Sequence, residues 1–384
     1  MTTLTQEQTT PAQALPCPDR QEAASRLGAE RRRLFFVATG ISLVAPLLPY
    51  LTGTWETIWY ALAATPLPLP VRAAVFLIVF HLALAVVLLP VSFYAGYTLP
   101  HAFGLSRQTP RAWWADWTKA TLLSLALGLL VGGVFLWCVA AGGASWWWLF
   151  ALFGSAGTLL LVFLMPYVLL PLFFKMRPLA DEAAVERIHA LVRRAGTEVR
   201  EVCTLDFSRR TAEANAAVIG LGRSRRVVLA DTLLQEFTPE EIDAVVAHEL
   251  GHHVHRDVQR LLLVSLALLW LGLGLAAWLA PLALPILSLP SLSYVPGYPV
   301  LFCVAELYAL LISPLTNSWS RRVEADADRF ALRTTGQPSA FASAMLRLSC
   351  QNLVEIRPPR WAEVLLASHP ALHRRIRLAE SWSS

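Results

Sequence analysis

From Ala120 to Phe174 the chain carries no Asp, Glu, Lys or Arg. A bilayer-spanning helix needs about 20 apolar residues, so a run of this length is expected to cross twice. Backbone groups in hydrocarbon must be satisfied within the protein, which leaves helices as the form such runs take. The break is expected at Ala141-Gly-Gly-Ala-Ser145, followed by Trp146, Trp147 and Trp148, whose indoles suit the membrane interface. Four further runs, Leu34 to Leu51, Ala73 to Leu99, Leu261 to Leu284 and Val300 to Leu315, bring the expected total to six spans. Hydrophobic residues make up 55 % of the chain and charged ones only 15 %, as in integral membrane proteins. The Pro-rich stretch Thr65 to Pro70 and the segment Pro285 to Pro299 read as connections.

The basic residues sort by side. Arg31, Arg32, Arg33, Arg107, Arg111, Lys119, Lys175, Arg177, Arg260, Arg321 and Arg322 all fall at one end of the six spans, and the other end carries only Arg72. The positive-inside rule then puts both termini and the segments between Lys175 and Arg260 and beyond Arg321 in the cytoplasm of a multi-pass cell-membrane protein. The formal charge of +5 is explained by these flanks, so no nucleic-acid partner is expected. Residues 1–30, rich in Thr, Gln, Ala and Pro, are expected to be a disordered cytoplasmic tail with no cleavable signal. The five cysteines show no C-x-x-C spacing and two lie in expected spans, so neither a disulfide framework nor a thiolate metal site is expected.

Chemistry enters at Thr238-Pro-Glu-Glu-Ile-Asp-Ala-Val-Val-Ala-His-Glu-Leu-Gly-His252. Thr238 can cap a helix, Pro239 suits its first position, and Glu241 completes a capping box. On that helix His248 and His252 share a face and can hold one Zn²⁺ per chain, with Glu249 beside them to activate a water. A catalytic zinc needs a third protein ligand, for which the candidates are His255 and Glu324. His255 lies about 10 Å along the axis from His248, too far for bonds of about 2 Å, so Glu324 is favoured. Glu324 and Asp328 share a face of a second expected helix, and Asp328 is suited to orient a ligand imidazole.

Between the fourth and fifth spans, Leu179 to Ala195 reads as an amphipathic helix, Val199 to Phe207 as a strand, and Ala216 to Gly222 with Arg226 to Ala230 as a hairpin. That hairpin either offers an edge to which a peptide substrate adds or buttresses the zinc helix. Glu306 and His81, inside apolar runs, are expected to face water, a partner residue or the bundle interior.

From about residue 30 onward the chain resembles the integral-membrane zinc peptidases that include the type I CAAX prenyl proteases and the bacterial heat-shock protease HtpX. His248-Glu-Leu-Gly-His252 with Glu324 and Asp328 is similar to their zinc signature, and Asn215-Ala216 with Gly220 and Arg226 to Leu234 resembles their substrate-edge segment. Ser368-His-Pro-Ala-Leu-His-Arg-Arg-Ile376 is similar to their H-P-x-x-x-x-R-I element, which implies that His369 and Arg375 line the active site, His369 as an oxyanion donor. Phe103-Gly followed by Asp116 and Lys119 resembles the CAAX branch, which implies seven spans where the apolar runs give six. The expected fold is predominantly α, a multi-pass transmembrane bundle with a gluzincin-like peptidase domain carrying a small β-hairpin or sheet. The expected division is a tail at 1–30, a four-span region at 31–175, and a peptidase domain at 176–384 interrupted by a transmembrane hairpin at about 260–317. The expected activity is zinc-dependent endoproteolysis of membrane-associated or lipidated CAAX-type substrates, with HtpX-like quality control or a zinc-stabilised membrane scaffold as alternatives.

Overall fold

The computed structural model describes residues 17–220 and 225–382. Five stretches are long and apolar enough to cross a membrane, and the third, Pro110–Phe173, contains two helices. These are α4 (Pro110–Gly142) and α5 (Trp146–Leu164), joined by the 3-10 turn Gly143–Ser145 at the expected break. Phe135 packs edge-to-face on Trp146 and Phe150, and Trp137 on Phe153, which fixes the two helices side by side. With α1 (Pro18–Leu51), α3 (Leu69–Phe93), α9 (Asp257–Ile286) and α10 (Tyr298–Thr335) this makes six helices of crossing length. Pi-helical turns at Tyr94–Thr98 and Met165–Leu169 interrupt the ends of α3 and α5, each close to a proline that removes a ladder donor.

A short helix, α2 (Thr54–Ala63), follows α1. Its ten residues rise about 15 Å, too little to cross. It closes the end of the bundle instead. Trp55 is buried on Phe76 and Phe80 with ring centroids 5.7 Å away in each case, and its indole N–H donates to Pro46 O. Tyr294 from the connection between α9 and α10 donates to Glu56 Oε1 at 2.7 Å and ties that loop to the same end.

Two expectations about the N-terminal segment are corrected. Residues 1–16 lie outside the described residues, but from Pro18 the expected tail is helix α1. It is ordered by contacts distant in sequence: Ala24 and Leu27 are fully buried against Leu99, Leu105 and Leu353. Where no disulfide framework was expected, Cys17 and Cys350 are joined as a disulfide across a sequence separation of 333. No local spacing reveals such a pair, because it depends on the first turn of α1 docking on the end of α11 (Pro338–Asn352), where Arg20 Nε also donates to Cys350 O.

The rest of the chain makes a small α/β unit at the opposite end of the bundle from α2. Strands β1 (Met176–Pro178), β2 (Glu201–Leu205), β3 (Ala216–Ile219) and β4 (Arg226–Ala230) form one mixed sheet in the order β1-β2-β4-β3. Only β2 and β4 run parallel, and β3 and β4 form the expected antiparallel pair with Ala216 opposite Leu229. Helix α6 (Glu182–Arg194) buries Ile188, Leu191 and Val192 in a core shared with β2, β4 and α8 (Pro239–Val254). Helix α7 (Asp231–Glu236) leads from β4 towards α8, and α12 (Arg360–Leu365) and α13 (Leu372–Glu380) complete the unit.

Candidate active site

Helix α8 starts as its residues dictate. Thr238 Oγ1 accepts from Glu241 N, and Glu241 Oε2 accepts from Thr238 N at 2.9 Å, the reciprocal pair of a capping box. Glu241 is buried, and its charge is met by Arg347 Nε at 3.0 Å. At the other end, His253 Nε2 lies 2.7 Å from Val218 O, pinning α8 to β3. Helix α10 crosses α8 closely because position 251 is glycine. A Cβ there would sit 3.2 Å from Ala327 Cα and 3.1 Å from Phe330 Cδ1, tighter than ordinary contact.

That crossing brings Glu324 between the two histidines. His248 Nε2 lies 3.2 Å from Glu324 Oε2, and His252 Nε2 lies 3.6 Å from Glu324 Oε1. One ligand atom from each of the three lies within 4.8 Å of the others. Each imidazole is held from behind by a carboxylate: His248 Nδ1 lies 2.9 Å from Asp328 Oδ1, and His252 Nδ1 lies 3.1 Å from Asp257 Oδ2. Such contacts turn both Nε2 atoms towards Glu324 and raise imidazole basicity. Glu324 Oε2 is buried with no hydrogen-bond partner among the described residues. An orphaned carboxylate oxygen facing two oriented imidazoles fits a divalent cation such as Zn²⁺, for which nitrogen and oxygen donors are the ordinary set.

The electrostatics agree. Burial works against charge on His248, yet the neighbouring Asp328 and Glu324 carboxylates push its imidazole up to about 9. Burial pushes the Glu249 carboxyl up, against the pull of His248 and His252. A raised carboxyl is a better proton acceptor near neutral pH than one at its ordinary value.

Two family models cover the chain: one described as the CAAX prenyl protease N-terminal region with five membrane helices over residues 6–175, and peptidase family M48 over residues 178–383. The chain belongs to peptidase family M48. Members of that family are zinc metalloproteases, and this one is a multi-pass membrane metalloprotease of the CAAX prenyl protease branch. An uncharacterized metalloprotease, YhfN of Bacillus subtilis (strain 168), is 28 % identical over 309 residues, 79 % of this chain and 72 % of that protein. A CAAX prenyl protease 1 homolog of Oryza sativa subsp. japonica is 28 % identical over 308 residues, 77 % of this chain and 70 % of its own. The crystal structure of S. mikatae Ste24p superposes with a TM-score of 0.82 at 22 % identity, covering 95 % of this chain and 89 % of that one, a likeness of fold. Within the region matched by the five-helix model, this M48 chain has four helices of crossing length and the ten-residue α2.

The structure brings His248, His252, Glu324, Glu249, Asp328 and His369 together. His369 Nε2 lies 3.2 Å from Glu324 Oε1, and its side chain, 60 % exposed, stands at the open side of the site. Arg375, expected to line the active site, does so from behind the metal group: it is buried, donates from Nε and Nη2 to both Asp328 oxygens at 2.8 and 2.6 Å, and lies 3.4 Å from His248 Nδ1. Its charge is spent on the carboxylate behind His248. His255 stays outside the metal group, packed edge-on against Phe330 at 5.5 Å. Asn215 is exposed beside the edge strand, and its carbonyl accepts from Ala230 N. Alternation then points Ala216 and Val218 away from β4, towards the free edge.

Asp257 was missed from sequence. It is buried, begins α9, and reaches His252 because Arg256 before it takes a left-handed conformation (φ 58°) that turns the chain sharply. A lone acid five positions after a histidine has no helical periodicity to mark it, and only its place beside the motif hinted at a role.

Proposed function

We propose that this M48 chain is an endopeptidase with one Zn²⁺ held by His248, His252 and Glu324, cleaving membrane-associated substrates of the lipidated CAAX type on the cytoplasmic side. The observation that carries the reading is the convergence of those three side chains around an orphaned carboxylate oxygen, with Glu249 adjacent in the chain. A bound zinc ion supplies Lewis acidity to a scissile carbonyl and a water of lowered pKa. Glu249, next to His248 in the chain, would accept a proton from an attacking water and return it to the leaving amine, as its raised pKa favours. Asp328 and Asp257 hold the two imidazoles in the tautomer that presents Nε2. His369, exposed beside Glu324, stands where it can donate to an oxyanion. Along the edge of β3, Ala216 offers both backbone groups and Val218 its N–H to a substrate strand, since Val218 O is taken by His253. Such pairing gives affinity without dictating sequence.

Two features support the substrate class and the side. Relatives along most of the chain carry the name CAAX prenyl protease 1 homolog. The basic residues flanking the spans lie at the end of the bundle that holds the site, as where Arg31 meets Glu213 at 3.4 Å and Arg260 meets Asp257 at 3.6 Å. The test is cleavage by the purified, zinc-loaded chain of a prenylated C-terminal peptide beside the same peptide without its lipid. Preference for the lipidated form of about tenfold or more in kcat/KM is expected. Equal rates would remove the lipid from the proposed specificity.

A further inference from the structure

A cavity of about 390 Å³ lies behind the metal group, walled by α10, α12 and α13. Its lining includes Arg321, Arg322, Arg329, Arg374 and Arg375 against two acids, Asp328 and Glu363. Both acids are already matched. Asp328 accepts from Arg375, and Glu363 meets Arg374 Nη2 at 3.3 Å and accepts from Ala371 N at 3.2 Å. Arg321 is spent on the carbonyls of Glu363, Val364 and Ala367, and Arg329 on Asp326. Arg322 is exposed and has neither an ion pair nor a hydrogen bond among the described residues. The wall therefore presents uncompensated positive charge, which the peptidase chemistry does not use.

Its depth says what could meet that charge. Leu307, Leu311 and Leu315 form the exposed apolar stripe of α10, and the same helical face continues through Ser318 to Arg322. Arg322 is about 10 Å along the axis beyond Leu315, and the headgroup layer on each side of the hydrocarbon is roughly 5–8 Å deep. A long arginine side chain reaching back spans that difference. On the faces of α12 turned away from the cavity, Trp361, Val364 and Leu365 are exposed, with the Trp361 ring tilted against exposed Phe36 of α1 at 6.1 Å between centroids. Contiguous exposed apolar groups beside an arginine cavity mark the boundary between lipid tails and headgroups.

We propose that this cavity binds the phosphate headgroup of an anionic phospholipid, with Arg322 as its free guanidinium and Leu311 and Leu315 of the same helical face resting against the acyl chains. A guanidinium presents paired donors that match phosphate oxygens, and the positive wall favours a lipid with net negative charge over a zwitterionic one. This site is separate from the peptidase reading and is tested without any activity measurement.

The full chain in non-ionic detergent is titrated with phosphatidylglycerol, phosphatidylcholine of the same acyl chains, and inorganic phosphate, and binding is read by native mass spectrometry and melting temperature. Phosphatidylglycerol is expected to bind at least tenfold more tightly than phosphatidylcholine. Arg322→Glu should abolish that difference while leaving the lipid-free melting temperature unchanged. Arg322→Gln, milder if the reversal disturbs folding, should narrow it severalfold. Equal binding of the two lipids, or an unaltered preference in both variants, overturns the proposal. Stabilisation by inorganic phosphate equal to that by phosphatidylglycerol at the same concentration also overturns it, since the site would then read free phosphate and not lipid.

Discussion

Glu249 and His248 are neighbours in the chain with different tasks, because a helix turns about 100° per residue and only His248 and His252 share the face towards Glu324. Glu249→Gln is therefore expected to lower kcat by about 10²–10⁴ or more while metal analysis still finds about one zinc per chain. Loss of the metal in that variant would make Glu249 a ligand. Asp257→Asn tests the contact that the sequence hid. Removing the carboxylate behind His252 should weaken zinc affinity about 10–100-fold, read by chelator competition, and unchanged affinity would reduce Asp257 to a helix-start residue. The His248 imidazole gives a pH dependence whose sign follows from its shift. Its folded value of about 9 stands above the ordinary 6.5, so in the metal-stripped protein its contribution to stability is complete below about pH 6.5 and lost as pH rises through 9. A metal ion on that imidazole would have to displace the proton, so its binding should strengthen as pH rises towards 9. Melting temperatures of stripped and loaded protein should diverge as pH rises towards 9, and parallel curves would show that His248 does not exchange a proton for the metal.

At the scale of elements, the zinc site is a crossing of α8 and α10 that glycine at position 251 permits. Gly251→Val places branched carbons against the Ala327 backbone, where no flexible side-chain end can give way. The helices must part, which is expected to cost about 1–3 kcal/mol and to draw Glu324 away from the histidines. Chemical denaturation and zinc titration should both register the change, and wild-type zinc affinity in a folded variant would show that the crossing tolerates a side chain. The start of α8 was legible from Thr238, Pro239 and Glu241, since capping is chemistry among near neighbours. The beginning of α1 was not. Residues 18–30 have too few apolar positions to announce a helix, and Ala24 and Leu27 acquire a buried face only from Leu99, Leu105 and Leu353.

For the whole molecule, the Cys17–Cys350 pair tests the side of the membrane that the peptidase unit faces, independently of the basic flanks. A cytoplasm keeps thiols reduced, whereas an extracytoplasmic space lets a well-placed pair stay oxidised. With the proposed orientation, alkylation of intact cells quenched before lysis should find both cysteines as thiols, and air oxidation of purified protein should then close the bridge that the structure records. A bridge already closed in quenched cells would put the site on the far side and overturn the orientation. Reporter fusions after Lys175 and near Ser291 should report opposite sides, as two different ends of the bundle require.

Periodicity and spacing, which act over a few residues, determined the spans, their break at Gly143–Ser145, the helix carrying His248 and His252, and the β3–β4 pair. Each is set by local backbone bonding and by burial of a repeating apolar face. The tertiary structure alone decided that Asp257 backs His252, that Arg375 turns inward to Asp328, that Cys17 meets Cys350, and that arginines gather beside α12. Those contacts join positions that no helical or strand repeat relates, so their energies exist only once the chain has packed.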